Sequence, residues 1–191
     1  MKSLRLTLCA IPLVLTGCST LSSVNWSAAN PWNWFGSSTE VTEQGVGKLT
    51  GATTLDEKTI ADALDGDYRL RSGMKTNNGT VVRFFEAMKG DKLAMVINGD
   101  QGTINRIDVL DSDIASAAGV EIGTPFSDLY TKAFGHCQKA TGDDSAGVEC
   151  KAEGSQHISY IFSGDWSGPE GIMPSDDTLQ EWKVSKIIWR R

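Results

Sequence analysis

The sequence predicts an α+β fold in a single domain: a mostly antiparallel sheet, built from a meander, a C-terminal hairpin and a last strand, covered by one or two helices. Three observations predict it. Four strand-like runs, Tyr68 to Lys75, Thr80 to Met88, Lys92 to Ile97 and Thr103 to Leu110, are separated by joints that can connect only antiparallel neighbours. Those joints, Thr76-Asn77-Asn78-Gly79, Lys89-Gly90-Asp91 and Asn98-Gly99-Asp100-Gln101-Gly102, carry the residue types of turns with positive φ. Two segments switch from strand alternation to helical spacing, over residues 57–64 and 125–134.

Taken in order, Gly45 to Thr50 opens the body as a short strand. Asp56 then reads as the N-cap of a helix over Glu57 to Leu64, with Ile60, Ala61 and Leu64 on one face and Gly66 ending it. The meander follows. Alternation of Leu93, Met95 and Ile97, and of Ile107 and Val109 across Asp108, predicts one covered face and one wet face. The covering layer is assigned to a helix from Pro125 to Phe134, capped by Thr124, with a stripe of Phe126, Leu129, Tyr130 and Ala133 and a stop at Gly135. Val148 to Ala152 and His157 to Phe162 form a hairpin around Glu153-Gly154-Ser155-Gln156, and Trp182 to Arg190 is the last strand.

Ahead of this body, Lys2 and Arg5 precede an apolar run, Leu6 to Leu15, that ends in Leu15-Thr16-Gly17-Cys18. Ten residues interrupted by Pro12 cannot span a hydrocarbon core about 30 Å thick, which takes roughly 20. The layout is that of a secretory segment, and its end resembles the lipobox of bacterial lipoprotein precursors. Residues 1–17 are then removed and Cys18 carries lipid. Each buried methylene contributes about 0.8 kcal/mol, so several acyl chains make a stable anchor. In that class the residue after the cysteine sorts between membranes. Ser19 points to the inner leaflet of the outer membrane, facing the periplasm.

Residues 18–44 are rich in Ser, Asn, Thr and Gly without apolar periodicity, so they read as a flexible tether, and residues 45–191 as the globular domain. The tether holds Trp26, Trp32, Trp34 and Phe35. Three readings stay open: contact with the membrane interface, where an apolar ring with an N–H is at home; docking on an envelope partner; or folding back as a strap on the domain.

Removing Lys2 and Arg5 from the 18 basic side chains leaves 16 against 24 acidic ones, a formal charge of −8. That sign argues against nucleic acid as a partner. With Cys9 removed and Cys18 acylated, Cys137 and Cys150 remain, and in an oxidising compartment two thiols in one domain most simply form a disulfide. The competing readings are free thiols and a metal site with His136 and His157, whose spacing lacks the paired short arms of structural zinc.

The sequence carries no G-x-S-x-G elbow, and its two histidines, His136 and His157, read as strand or loop residues. Asp143-Asp144 and Asp176-Asp177 lack the ligand spacing of a calcium loop and read as loop acids or a helix cap. Asn98 to Gly102 joins two strands, not a strand to a helix, so it does not read as a phosphate loop. No catalytic residue, cofactor or metal is therefore assigned. The candidate binding surface is the irregular stretch from Gly164 to Pro174, with Trp166, Ile172 and Met173; a strap over an open end of the sheet explains the same stretch.

The segments Trp26-Ser27-Ala28-Ala29-Asn30-Pro31-Trp32-Asn33-Trp34-Phe35, Asp65-Gly66-Asp67-Tyr68-Arg69-Leu70-Arg71, Ile122-Gly123-Thr124-Pro125-Phe126 and Lys186-Ile187-Ile188-Trp189-Arg190-Arg191 carry a likeness along essentially the whole chain. The chain resembles the enterobacterial lipoprotein family regulated by the envelope-stress sigma factor. The resemblance implies an outer-membrane lipoprotein and brings no established activity. The leading expectation is a non-enzymatic, membrane-anchored module that binds an envelope protein or polymer. The alternative is a periplasmic enzyme or small-ligand carrier acting on envelope material.

Overall fold

The structure, a computed structural model, describes residues 39–77, 79–169 and 171–191. The signal segment, Cys18 and the tether aromatics Trp26, Trp32, Trp34 and Phe35 lie outside the described residues.

The chain opens with a small three-stranded sheet: β1 (Val41–Thr42), β2 (Gly45–Val46) and β3 (Leu49–Thr50), each antiparallel to the next. A single strand from Gly45 to Thr50 was the expectation. The chain instead reverses at Gly47, whose φ of 56° suits a residue without Cβ. Gly45 is equally constrained, since a Cβ there would meet the Leu49 carbonyl. β1 lies within the stretch read as tether, and Val41 is fully buried. Helix α1 (Glu57–Ala63) follows, and its cap is the predicted one: Thr59 N donates to Asp56 Oδ1 at 3.0 Å. Ile60 and Leu64 are buried, and Gly66, at φ 75°, returns a hydrogen bond to Ala61 O.

The main sheet has eight strands, all antiparallel to their neighbours: β4 (Arg69–Asn77), β5 (Thr80–Lys89), β6 (Lys92–Asp100), β7 (Thr103–Val109), β8 (Cys137–Lys139), β9 (Val148–Lys151), β10 (Ile158–Ser163) and β11 (Lys183–Arg190). Its spatial order is β4-β5-β6-β7-β11-β10-β9-β8. The meander and the hairpin are both present, and the last strand lies between them, paired to β7 on one side and β10 on the other. The β6–β7 joint is tighter than the five residues expected. Strand pairing continues to Asp100 and Thr103, and Gln101 and Gly102 alone make the turn, with φ of 51° and 84°.

The expected helix over Pro125 to Phe134 shrinks to one turn, α2 (Phe126–Leu129). Thr124 does not cap it. Its Oγ1 accepts from Glu121 N, and Pro125 stands at the cap without a side-chain bond. Tyr130 leaves the helix in extended conformation, its hydroxyl donates to Lys151 O at 2.6 Å, and Ala133 N donates to Asp176 Oδ1 at 2.7 Å. These long-range bonds take the place of a helical ladder. The stripe still goes inside, with Phe126, Tyr130 and Ala133 buried and Phe126 edge-on to Phe162 at 5.1 Å. A third short helix, α3 (Asp176–Leu179), is capped by Ser175 and not by either aspartate; Thr178 N donates to Ser175 Oγ.

The covered face therefore packs against several small pieces: Val46 and Leu49 of the opening sheet, Ile60 of α1, Phe126 of α2 and Leu179 of α3. Among the described residues no helix is long and apolar enough to cross a membrane.

Candidate functional site

The opposite face of the main sheet is the informative one. Asp108, expected on a wet face, is only 6% exposed. The reason is the segment after β8, which passes over this face: Ala140 packs with Ile161 and Ile188, and a single 3-10 turn, Gly142–Asp144, sits above β7 and β11. Asp144 ties it down, accepting from Lys186 Nζ at 2.6 Å and Arg106 Nη2 at 3.3 Å. Asp144 was read as a loop acid in solvent, but its side chain is 13% exposed and bridges two strands.

Strand alternation sets which residues meet there. Arg106 and Asp108 on β7, Lys186 and Arg190 on β11, Ser159 on β10 and Glu149 on β9 all project to this face, because each is two residues from the next or opposite it in register. Arg106 Nε donates to Asp108 Oδ1 at 2.7 Å. Arg190 donates to Glu149 and, at 2.8 Å, to Ser159 Oγ, and the Ser159 hydroxyl donates to Glu149 Oε1 at 2.5 Å. Arg190, the last residue of β11, thus lies across its own sheet.

Burial raises the Glu149 pKa, but the Ser159 hydroxyl and the Arg190 guanidinium outweigh it and hold this carboxyl below its ordinary value. A depressed carboxylate contributes stability that is complete above the unfolded-state value, near 4.5, and is lost as pH falls through the lower folded-state value. Glu149→Gln therefore lowers the melting temperature at neutral pH, and its deficit relative to the native chain shrinks below pH about 4. Melting curves of both proteins across pH check this; a deficit that grows on acidification overturns it.

Two grooves open beside the network. The first, of about 660 Å³, is lined by His136, Gln138, Glu149, Lys151, His157 and Arg190, among others. His157 Nδ1 lies 2.7 Å from Arg190 O, which only accepts, so Nδ1 carries a proton and donates to it. The second, of about 450 Å³, is lined by Lys75, Asn98, Asn105, Arg106, Asp143 and Lys186, among others. Thr141 lines both.

Cys137 and Cys150 face one another across β8 and β9 and form a disulfide, with Cα atoms 4.0 Å apart. That bond occupies both sulfurs a metal site with His136 and His157 would need. The candidate surface loop is divided. Met173 is partly buried and lines a separate apolar groove with Phe134 and Pro174. Trp166 and Ile172 are 36% and 54% exposed and do not line that groove. The polar face escaped sequence reasoning because its members are spread over four strands and one loop. The usable signal was charge at Lys186 and Arg190, four positions apart and so on one face of the last strand, with the apolar Ile187, Ile188 and Trp189 between them.

The fold is thus an antiparallel-sheet α+β domain with one face committed to its core and the other to an ion-paired, grooved surface. The chain belongs to the family described as a protein of unknown function, DUF1131, which matches residues 23–191. It is 81% identical over 191 residues, the full length of both chains, to the uncharacterized protein YfeY of Escherichia coli strain K12. It is also similar to the crystal structure of the uncharacterized protein yfeY from Escherichia coli, with a TM-score of 0.75 and 75% identity, covering 80% of this chain and all of that one.

Proposed function

We propose that this protein is a lipid-anchored periplasmic binding module of the outer membrane, acting in the envelope-stress response by holding an envelope protein or polymer on the polar face of its main sheet. The observation that carries the reading is the state of the groups on that face. Glu149 is the carboxylate closest to Ser159, and Arg190 keeps it a weak base. Asp108 and Asp144 are likewise held in ion pairs. Such a face is preorganised to recognise polar groups and poorly set to move protons. The anchor rests on Leu15-Thr16-Gly17-Cys18, and the stress-response setting on the resemblance described above.

A photo-cross-linking residue at Gln138 or Lys151, both exposed beside the first groove, tests the module in cells under envelope stress with the full lipidated chain. A discrete adduct with an envelope component is expected, together with loss of membrane association for Cys18→Ala. Absence of any adduct from either position overturns the binding reading. The second reading, an enzyme or small-ligand carrier, draws on one observation: His157 shares the first groove with Glu149. A small molecule retained by the native protein and lost with His157→Ala would favour it.

A further inference from the structure

The second groove has a feature that the first lacks. Pairing of β6 with β7 skips a residue: Asn98 faces Arg106 and Gly99 faces Ile104, so Asn105 is the extra residue of a β-bulge. A bulge re-aims side chains, and here Asn105 and Arg106, adjacent in sequence, line the same groove. Gly99, on the other side of the bulge, admits no Cβ, because Leu55 and the Thr103 carbonyl come within 2.6 Å of where it would lie.

The bulge brings together two carboxamides with unpartnered oxygens, Asn98 Oδ1 and Asn105 Oδ1. Asn98 is 7% exposed, so its missing bond is a buried one, which is costly to leave unmade. Its one side-chain bond, Nδ2 to Asp108 Oδ2, is long at 3.3 Å, and the terminal torsion of asparagine is soft, so the amide turns readily. On the rim, Asp143 is exposed and Lys75 has its ammonium 5.7 Å from the Phe84 ring centre.

These groups define the ligand by what they need and what they repel. The carboxamide oxygens and Asp143 require donors. A cationic donor would meet Lys75, Arg106 and Lys186, and an anion would meet Asp108, Asp143 and Asp144 while supplying no donor. Neutral hydroxyls meet both conditions: each O–H donates to an amide oxygen, and each oxygen accepts from Lys75. A peptide would look for apolar pockets, and Val82 is the one apolar side chain among the lining residues. The volume lies within the 300–1,000 Å³ or so of small-ligand sites.

We propose that the groove between the β6–β7 bulge and the Gly142–Asp144 turn binds a neutral glycan, with Asn98 and Asn105 accepting from its hydroxyls. This deepens the binding reading above by naming its polymer.

The test uses the full lipidated chain in a detergent without a sugar headgroup, titrated calorimetrically with chitotetraose, maltotetraose, spermidine and hyaluronate. Saturable binding of at least one neutral oligosaccharide, and of neither charged ligand, is expected. Asn98→Leu and Asn105→Ala should each weaken it about tenfold, the size of one lost hydrogen bond. Asn98→Leu removes the bond to Asp108 Oδ2 together with the unpartnered acceptor and should lower the melting temperature, so its affinity is read on folded protein; Asn105→Ala, at a partly buried site, serves if Asn98→Leu fails to fold. No neutral glycan binding, or binding indifferent to both substitutions, overturns the proposal. If glycans fail while the in-cell cross-link captures a protein, the glycan inference falls and the binding module stands.

Discussion

Trp189→Ala lowers the unfolding free energy by about 3–5 kcal/mol, the range for emptying a large aromatic site in a packed core. Trp189 is 2% exposed and sits on β11, with Ile158 opposite it on β10 and Ile107 on β7. Its indole N–H donates to Glu43 O at 3.1 Å, and the His157 ring stacks beside it. Glu43 in turn accepts from Ser155 and from Gln156 N. The side chain therefore fills core volume and ties the opening sheet to the β9–β10 hairpin. Since domains of this kind are stable by only about 5–15 kcal/mol, the loss is a large fraction of the total. Trp189→Phe keeps most of the volume and drops the N–H, so it should cost closer to 1 kcal/mol beyond its smaller packing loss. Denaturant melts of the three proteins measure both. A cost below about 1 kcal/mol for the alanine variant would show that the β7–β11–β10 seam is not where the sheet is held.

Opening the disulfide costs about 3 kcal/mol by loop-closure reasoning, for a sequence separation of 13. The effect should be local as well. β8 has three residues and pairs only with β9, at the edge of the sheet. Cys150 is fully buried, whereas Gln138 is exposed, so little apolar contact holds β8 once the bond is gone. The segment beyond it carries Thr141, which borders both grooves, and Asp144, which borders the second. The paired change Cys137→Ala with Cys150→Ala should raise amide exchange over residues 137–147 well above that of β5, β6 and β7. Uniform change across the sheet, or none, would mean that Lys186 and Arg106 hold the segment unaided.

Much of the fold was legible because its signals are local. Gly79, Gly90 and Gly102 have the positive φ that their hairpins need. Asp56 caps α1 within a single turn, and the period-two pattern around Met95, Ile97, Ile107 and Val109 marks the core face. Where the reading failed, distant groups had decided. Pro125 to Phe134 has a helical stripe, yet Tyr130 and Ala133 are bonded to Lys151 and Asp176, and the helix stops after one turn. The apolar loop residues Trp166, Ile172 and Met173 drew attention as a surface, but the structure does not gather them on one groove.

The sequence by itself determined the four-stranded meander, the C-terminal hairpin, the last strand, the first helix and the cysteine pairing, since each depends on residues a few positions apart or on a simple count. Only the tertiary structure decided that the last strand enters between β7 and β10. That placement brings Lys186 and Arg190 over Asp144 and Glu149 and turns an expected wet face into a grooved, ion-paired one. The physical reason is that pairing a strand with partners some 30 or 80 residues away is settled by register and by the charges that register opposes, and neither leaves a periodic trace in the chain.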